Sequence, residues 1–154
     1  PKRAVMVPLM TTAQFADLTM VRMLNEGRAA RLAAERANKT EVAGIFALAE
    51  RFEEVLDQAY GSAAAVAANK DLHFAVYRAA GSPALMEVIT MLWLKAGPTL
   101  SLLAPDYQQS RRGSRSHFNA IEAIRQGSGK LLRKAIEKDL RDGTNYIMPL
   151  LDDD

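Results

Sequence analysis

Apolar residues recur along this chain at spacings of three and four and almost never at two, a pattern that predicts helices. Only Ala4-Val5-Met6-Val7 carries a strand signal. Six helices follow. The first covers residues 12–36, with Thr11 or Thr12 as its cap and an inward stripe of Phe15, Leu18, Ala29 and Leu32. The second starts after Thr40, a cap candidate, and ends near Tyr60 with Gly61 as its stop, burying Val42, Ile45, Phe46, Leu48, Phe52 and Leu56. The third, 62–80, ends at Gly81, a left-handed terminator. Ser82 caps the fourth and Pro83 takes its first position, where a missing N–H costs nothing. That helix is expected to reach about Ala104 and to kink at Pro98. A polar loop is expected at 105–113, then a fifth helix at 114–126 stopped by Gly127. The sixth begins after Ser128 and runs toward Met148, with Gly143 as a candidate break. Short connections between six helices predict an all-α fold, an antiparallel bundle.

Composition narrows the class. A chain of 154 residues is one domain by length, and roughly two-thirds of its unfolded surface can be buried. Hydrophobic content of 49% and charged content of 25% point to a packed globular domain and away from disorder. The net charge of +2 is too small to imply a nucleic-acid surface. The cluster Arg111, Arg112 and Arg115 supports only weak, salt-sensitive DNA contact. With no cysteine there are no disulfides, thiolate zinc sites or cysteine nucleophiles, which fits a cytoplasmic location. The most apolar stretch, 83–104, is interrupted by Glu87 and Lys95, so no run reaches the ~20 residues a bilayer span needs. No membrane partner is expected. A glycine-rich phosphate loop, a nucleophile elbow and an HExxH motif are all missing. The expected role is therefore not an enzyme's.

Polar residues on inward stripes are the candidates for function. On the third helix, Val66, Asn69, His73, Val76, Tyr77 and Ala80 share a face, with Asn69 and His73 one turn apart. On the fifth, His117 aligns with Ile121 and Ile124. On the sixth, Asp139 follows Leu132, Ala135 and Ile136. Each has an ordinary alternative: a core histidine bonded to Asn69, a lone core histidine, an aspartate at the stripe's edge. Together they change the odds, because a carboxylate in a core needs a cation or a metal. Two imidazoles, a carboxylate and an amide oxygen form an N/O set suited to zinc, nickel or manganese. Arg22 sits on the first helix's stripe, either paired with Glu26 one turn on or free to clamp a ligand carboxylate. Trp93 is either core or the wall of an effector pocket.

Several of these segments resemble one family in the right order. The first helix, Val21-Arg22-Met23-Leu24-Asn25-Glu26 and then 29–37, is similar to the opening helix of the FCD domain, the effector-sensing half of GntR-type bacterial transcription regulators. Asn69-Lys70-Asp71-Leu72-His73 and Ala79-Ala80-Gly81-Ser82-Pro83 resemble its third-helix signature, and 116–127 resembles its "E-H-x-x-I-x-x-A-I-x-x-G". Residues 135–140 resemble "A-x-x-x-x-H-L", with Asp139 where the family usually has histidine.

The resemblance implies a divalent metal, zinc ahead of nickel or manganese, held by Asn69, His73, His117 and Asp139. It implies a small organic-acid effector, for which Arg22 and Trp93 are the candidate contacts read above, a homodimer, and DNA bound through an N-terminal winged helix-turn-helix domain. On that reading residues 1–10 are the linker from the winged domain, 11–151 the ligand-binding and dimerisation domain, and 152–154 an acidic tail. A metal-free sensor of a larger ligand such as an acyl thioester, and a helical-bundle metalloenzyme, are the alternatives.

Overall fold

The computed structural model describes residues 9–58, 62–100, 102 and 112–151. Its elements are α1 (Thr12–Arg36), α2 (Lys39–Gln58), α3 (Ala63–Arg78), α4 (Pro83–Leu100), α5 (Arg112–Arg125), α6 (Gly129–Ile147) and a closing 3₁₀ turn, Met148–Leu150. Among the described residues there is no strand, so the all-α expectation holds. The 2–8 linker stretch, Gly61, residues 105–111 of the polar loop, the Arg111, Arg112 and Arg115 side chains and the acidic tail lie outside what is described.

Side-chain caps set the helix starts. Thr11 and Gln14 form a reciprocal capping box at α1, each side chain bonded to the other's backbone N–H. At α2 the cap is Asn38, not Thr40: its Oδ1 accepts from the Glu41 N–H at 3.0 Å and Glu41 returns the bond at 2.8 Å. Asn38 prevails because it has an acid three residues on to close the box. Ser62 and Ser128 cap α3 and α6. Gly81 and Gly127 follow α3 and α5 with φ of 60° and 64°, a conformation glycine adopts without strain. α6 continues unbroken through the buried Gly143. Packing of its inward face outweighs the ~1 kcal/mol by which glycine weakens a helix.

α1 is the central element. It lies along α6 and also meets α3 and α4, while α5 packs on α6 and α2 spans α3 and α5. The contact with α6 is close because of Gly27, where a Cβ would stand 2.8 Å from Glu137 Oε1 and 3.3 Å from Arg133 Cγ. Phe15, Leu18, Ala29 and Leu32 are buried as the stripe predicted, and so are Ile45, Phe52 and Leu56 of α2.

One face differs from expectation. Val66 is exposed, because the first turns of α3 bury Ala65 and Ala68 instead. α4, with the longest apolar run in the sequence, buries only Ile89, Ala96 and Thr99 and leaves Val88, Met91 and Leu94 in solvent. Among the described residues, no helix is long and apolar enough to cross a membrane.

Candidate metal centre

Three helices deliver one polar group each to the middle of the bundle. His73 comes from α3, His117 from α5 and Asp139 from α6. His73 Nε2 lies 3.1 Å from His117 Nε2 and 3.2 Å from Asp139 Oδ2, and Asp139 Oδ1 is 3.9 Å from His117 Nε2. Both histidines are buried, while Asp139 keeps 14% of its side chain exposed, so the cluster opens on that side. Phe52 of α2 sets its ring edge-on to His117 at 4.8 Å and holds the imidazole in place.

The electrostatics follow from burial and from the groups' mutual proximity. Burial lowers His117 to about 4, against the pull of Asp139, so its imidazole is neutral at neutral pH. Burial would raise Asp139, but the hydrogen bond from His73 and the charges of His117, His73 and Arg22 together carry it below the usual carboxylate range. The result is an anionic oxygen facing two ring nitrogens.

Behind His73 lies a second polar cluster. His73 Nδ1 is 2.8 Å from the Tyr77 hydroxyl, which donates to Glu26 Oε2 at 2.5 Å. Trp93 Nε1 donates to the same oxygen at 3.1 Å. Arg22 donates through Nε to Glu26 Oε1 at 2.7 Å and through Nη2 to Oε2 at 3.5 Å, and its guanidinium lies 4.9 Å from the Trp93 ring centroid. Glu26 is fully buried and Arg22 nearly so. Burial, with the Glu26 carboxylate alongside, pushes the Tyr77 hydroxyl well above its usual range, so it keeps its proton.

With this geometry in hand, sequence comparison is decisive: the FCD domain model matches residues 17–142. The chain belongs to the FCD domain family. Among solved structures it is similar to E. coli McbR/YncC, with a TM-score of 0.86 at 21% identity over 97% of this chain and 75% of that one. That likeness speaks for the fold. No curated protein matches the sequence significantly.

FCD domains are associated with a bound metal, and the residues here fit one. Two ligands of a tetrahedral zinc, each about 2.0–2.1 Å from it, stand roughly 3.3 Å apart. The His73–His117 and His73–Asp139 separations are close to that. The donor atoms are imidazole nitrogens and a carboxylate, a borderline ion's preferred set. His117 Nδ1 and Ser116 Oγ are buried without a hydrogen-bond partner among the described residues.

Of the six residues singled out in the sequence, the structure brings His73, His117 and Asp139 together. Asn69 stands half-buried on α3 one turn before His73. It is not His73's hydrogen-bond partner, a role that falls to Tyr77. Arg22 and Trp93 meet at Glu26 instead of lining an empty pocket. The cavity beside the two histidines, walled by Ile45, Leu72 and Ile136, measures about 10 Å³, enough for one water. Sequence reasoning missed Glu26 as a hub and Tyr77 as its link to His73. The usable signal was an acid on the inward stripe of α1, the same signal that marked Asp139.

Proposed function

We propose that this FCD domain is the effector sensor of a GntR-type transcription regulator, binding a small organic acid at a divalent metal. The ligands are His73, His117 and Asp139, with Asn69 as the fourth and weakest. The single observation that carries this reading is the placement of His73 Nε2 within 3.2 Å of both His117 Nε2 and Asp139 Oδ2. Two imidazole nitrogens and a carboxylate brought that close form the kind of donor set that a divalent cation takes. A zinc ion, or nickel or manganese in its place, supplies a Lewis-acidic centre for the effector's carboxylate. The chain's own residues do the rest. Asp139 offsets part of the ion's charge, Phe52 and Trp93 hold the rings and exclude water, and the exposed side of Asp139 is the way in. Arg22 is the effector's second anchor. Its bonds to Glu26 use Nε and Nη2, and its positive charge helps to lower Asp139, which supports a role in attracting an anion bound there.

The domain acts as a cytoplasmic homodimer and works on DNA through a winged helix-turn-helix domain preceding it. The exposed Val88, Met91 and Leu94 of α4, with Met20 and Leu24 of α1, support a second copy as the cover for this face. Leu94→Glu is expected to shift the mass in solution from dimer to monomer while leaving helicity intact; a dimer unaffected by it excludes this face as the interface.

The metal reading is tested by elemental analysis and zinc titration, followed by a thermal-shift screen of small organic acids with and without chelator. The expected result is about one ion per chain and effectors that stabilise only the metal-loaded protein. A protein that takes up no divalent ion at neutral pH overturns it.

A further inference from the structure

We propose that Glu26 and Tyr77 are positioning residues that hold a hydrogen on His73 Nδ1 and thereby make Nε2, the nitrogen facing His117 and Asp139, the one that gives its electron pair to a metal. The inference deepens the metal reading, on which its functional consequence rests, but the hydrogen bonding stands by itself. An imidazole has two nitrogens, and the one that carries hydrogen is set by what its partner can accept. Tyr77 has a single hydroxyl hydrogen. The 2.5 Å separation from Glu26 Oε2 requires that hydrogen to lie between the two oxygens.

With Arg22 and Trp93 also donating to it, Glu26 is the acceptor in that contact. Its two oxygens already accept from Arg22 Nε at 2.7 Å and Trp93 Nε1 at 3.1 Å, both groups that only donate. The Tyr77 oxygen therefore turns a lone pair to His73. At 2.8 Å from Nδ1, that contact is bonding only when Nδ1 carries the hydrogen. With the hydrogen on Nε2 alone, two lone pairs would meet at 2.8 Å in a fully buried site. Arg22 and Trp93 hold Glu26, Glu26 orients the Tyr77 hydroxyl, and the hydroxyl selects the nitrogen. Residues 51 positions apart on α1 and α3 thus prepare a ligand whose own contacts are on α5 and α6.

The test reads the proton directly. Long-range ¹H–¹⁵N spectra of histidine-labelled, chelator-treated protein distinguish Nδ1–H from a bare Nδ1, and zinc alone serves as the binding probe. Wild-type His73 is expected to show a protonated Nδ1. A bare Nδ1 in the wild type overturns the proposal without recourse to any variant. In Tyr77→Phe, Nδ1 loses its acceptor, so the hydrogen should move to Nε2, facing Asp139. Zinc affinity should fall about 10- to 100-fold, as when a ligating histidine loses its orienting partner. A Tyr77→Phe protein that is folded, keeps Nδ1–H and binds zinc as tightly as wild type also overturns it, and a merely structural Tyr77 would give that outcome. Glu26→Gln, which keeps the shape, should give an intermediate mixture of the two forms; an unchanged spectrum counts against the role of Glu26. If wild-type protein takes up no zinc, the metal reading fails, and the spectrum still decides the positioning claim.

Discussion

His73 divides the polar core into two halves in opposite condition. Toward α1 and α4, a carboxylate meets a guanidinium, a phenol and an indole N–H, and each of these donors has its acceptor. Toward α5 and α6, a carboxylate meets two imidazoles, and the neighbouring His117 Nδ1 and Ser116 Oγ have no partner among the described residues. Both halves are buried and both centre on one acid. The first contains its own cation in Arg22; the second sets Asp139 against two imidazoles. A closed half holds its geometry whatever is bound, and an open half has a place for something to arrive. The arrangement therefore separates support from reception, with His73 as the link between them and Arg22 as the member of the closed half that a bound effector would also meet.

Removing the central acid of each half is the strongest way to break this comparison. Glu26→Ala leaves the Arg22 charge buried and the Trp93 and Tyr77 donors without an acceptor, which is expected to cost about 3–5 kcal/mol. Asp139→Ala in metal-free protein should cost much less, since it removes a carboxylate that lacks a resident cation. Chemical denaturation of both variants under chelator measures the difference. Equal losses would mean that the two halves are both structural.

Adding metal should act on one half only. Zinc at about 100 times its dissociation constant is expected to stabilise the wild type by about 2.7 kcal/mol. His73→Ala and His117→Ala should show no zinc-dependent shift in melting, because the remaining ligands hold a borderline ion poorly. A metal-dependent shift that survives in both variants would place the ion elsewhere and remove the basis for calling the α5–α6 half receptive.

The two halves were also unequally legible in the sequence. Asp139 and His117 stood out because each interrupts an apolar stripe on a helix with little else polar facing inward, and the family resemblance put them in one site. Glu26 was hidden by its neighbour. Four residues after Arg22 it reads as a self-sufficient i,i+4 pair, and the pair is indeed present at 2.7 Å. What local spacing cannot carry is the bond from Tyr77, 51 residues away, or from Trp93, 67 away. The same limit explains the fold. Helix ends written in local chemistry, such as Ser62, Gly81, Ser128 and Gly127, were readable. For the second helix the sequence points to Thr40 as the cap, and the reciprocal bond with Glu41 shows it to be Asn38. The exposure of α4 was not readable at all, since an apolar helix looks the same whether its cover is its own chain or another.

The smallest expected effect probes how open the receptive half is. Asn69 lies one turn before His73 on α3 and is half-buried, so its side chain can approach the ligand set from the same helix. Asp139 is the one carboxylate of the candidate ligand set. Asn69→Asp therefore puts a second carboxylate beside the first. With metal bound, the added anionic oxygen should tighten zinc binding. Without metal, two carboxylates near each other repel and each disfavours ionisation of the other. The variant should thus be slightly less stable than wild type under chelator and slightly more stable with saturating zinc, so the two melting curves cross in order. Opposite signs in the two conditions would identify Asn69 as a member of the ligand set. A change of the same sign in both would make it a helix-surface residue whose charge is felt only at a distance, and the open half would then rest on three ligands.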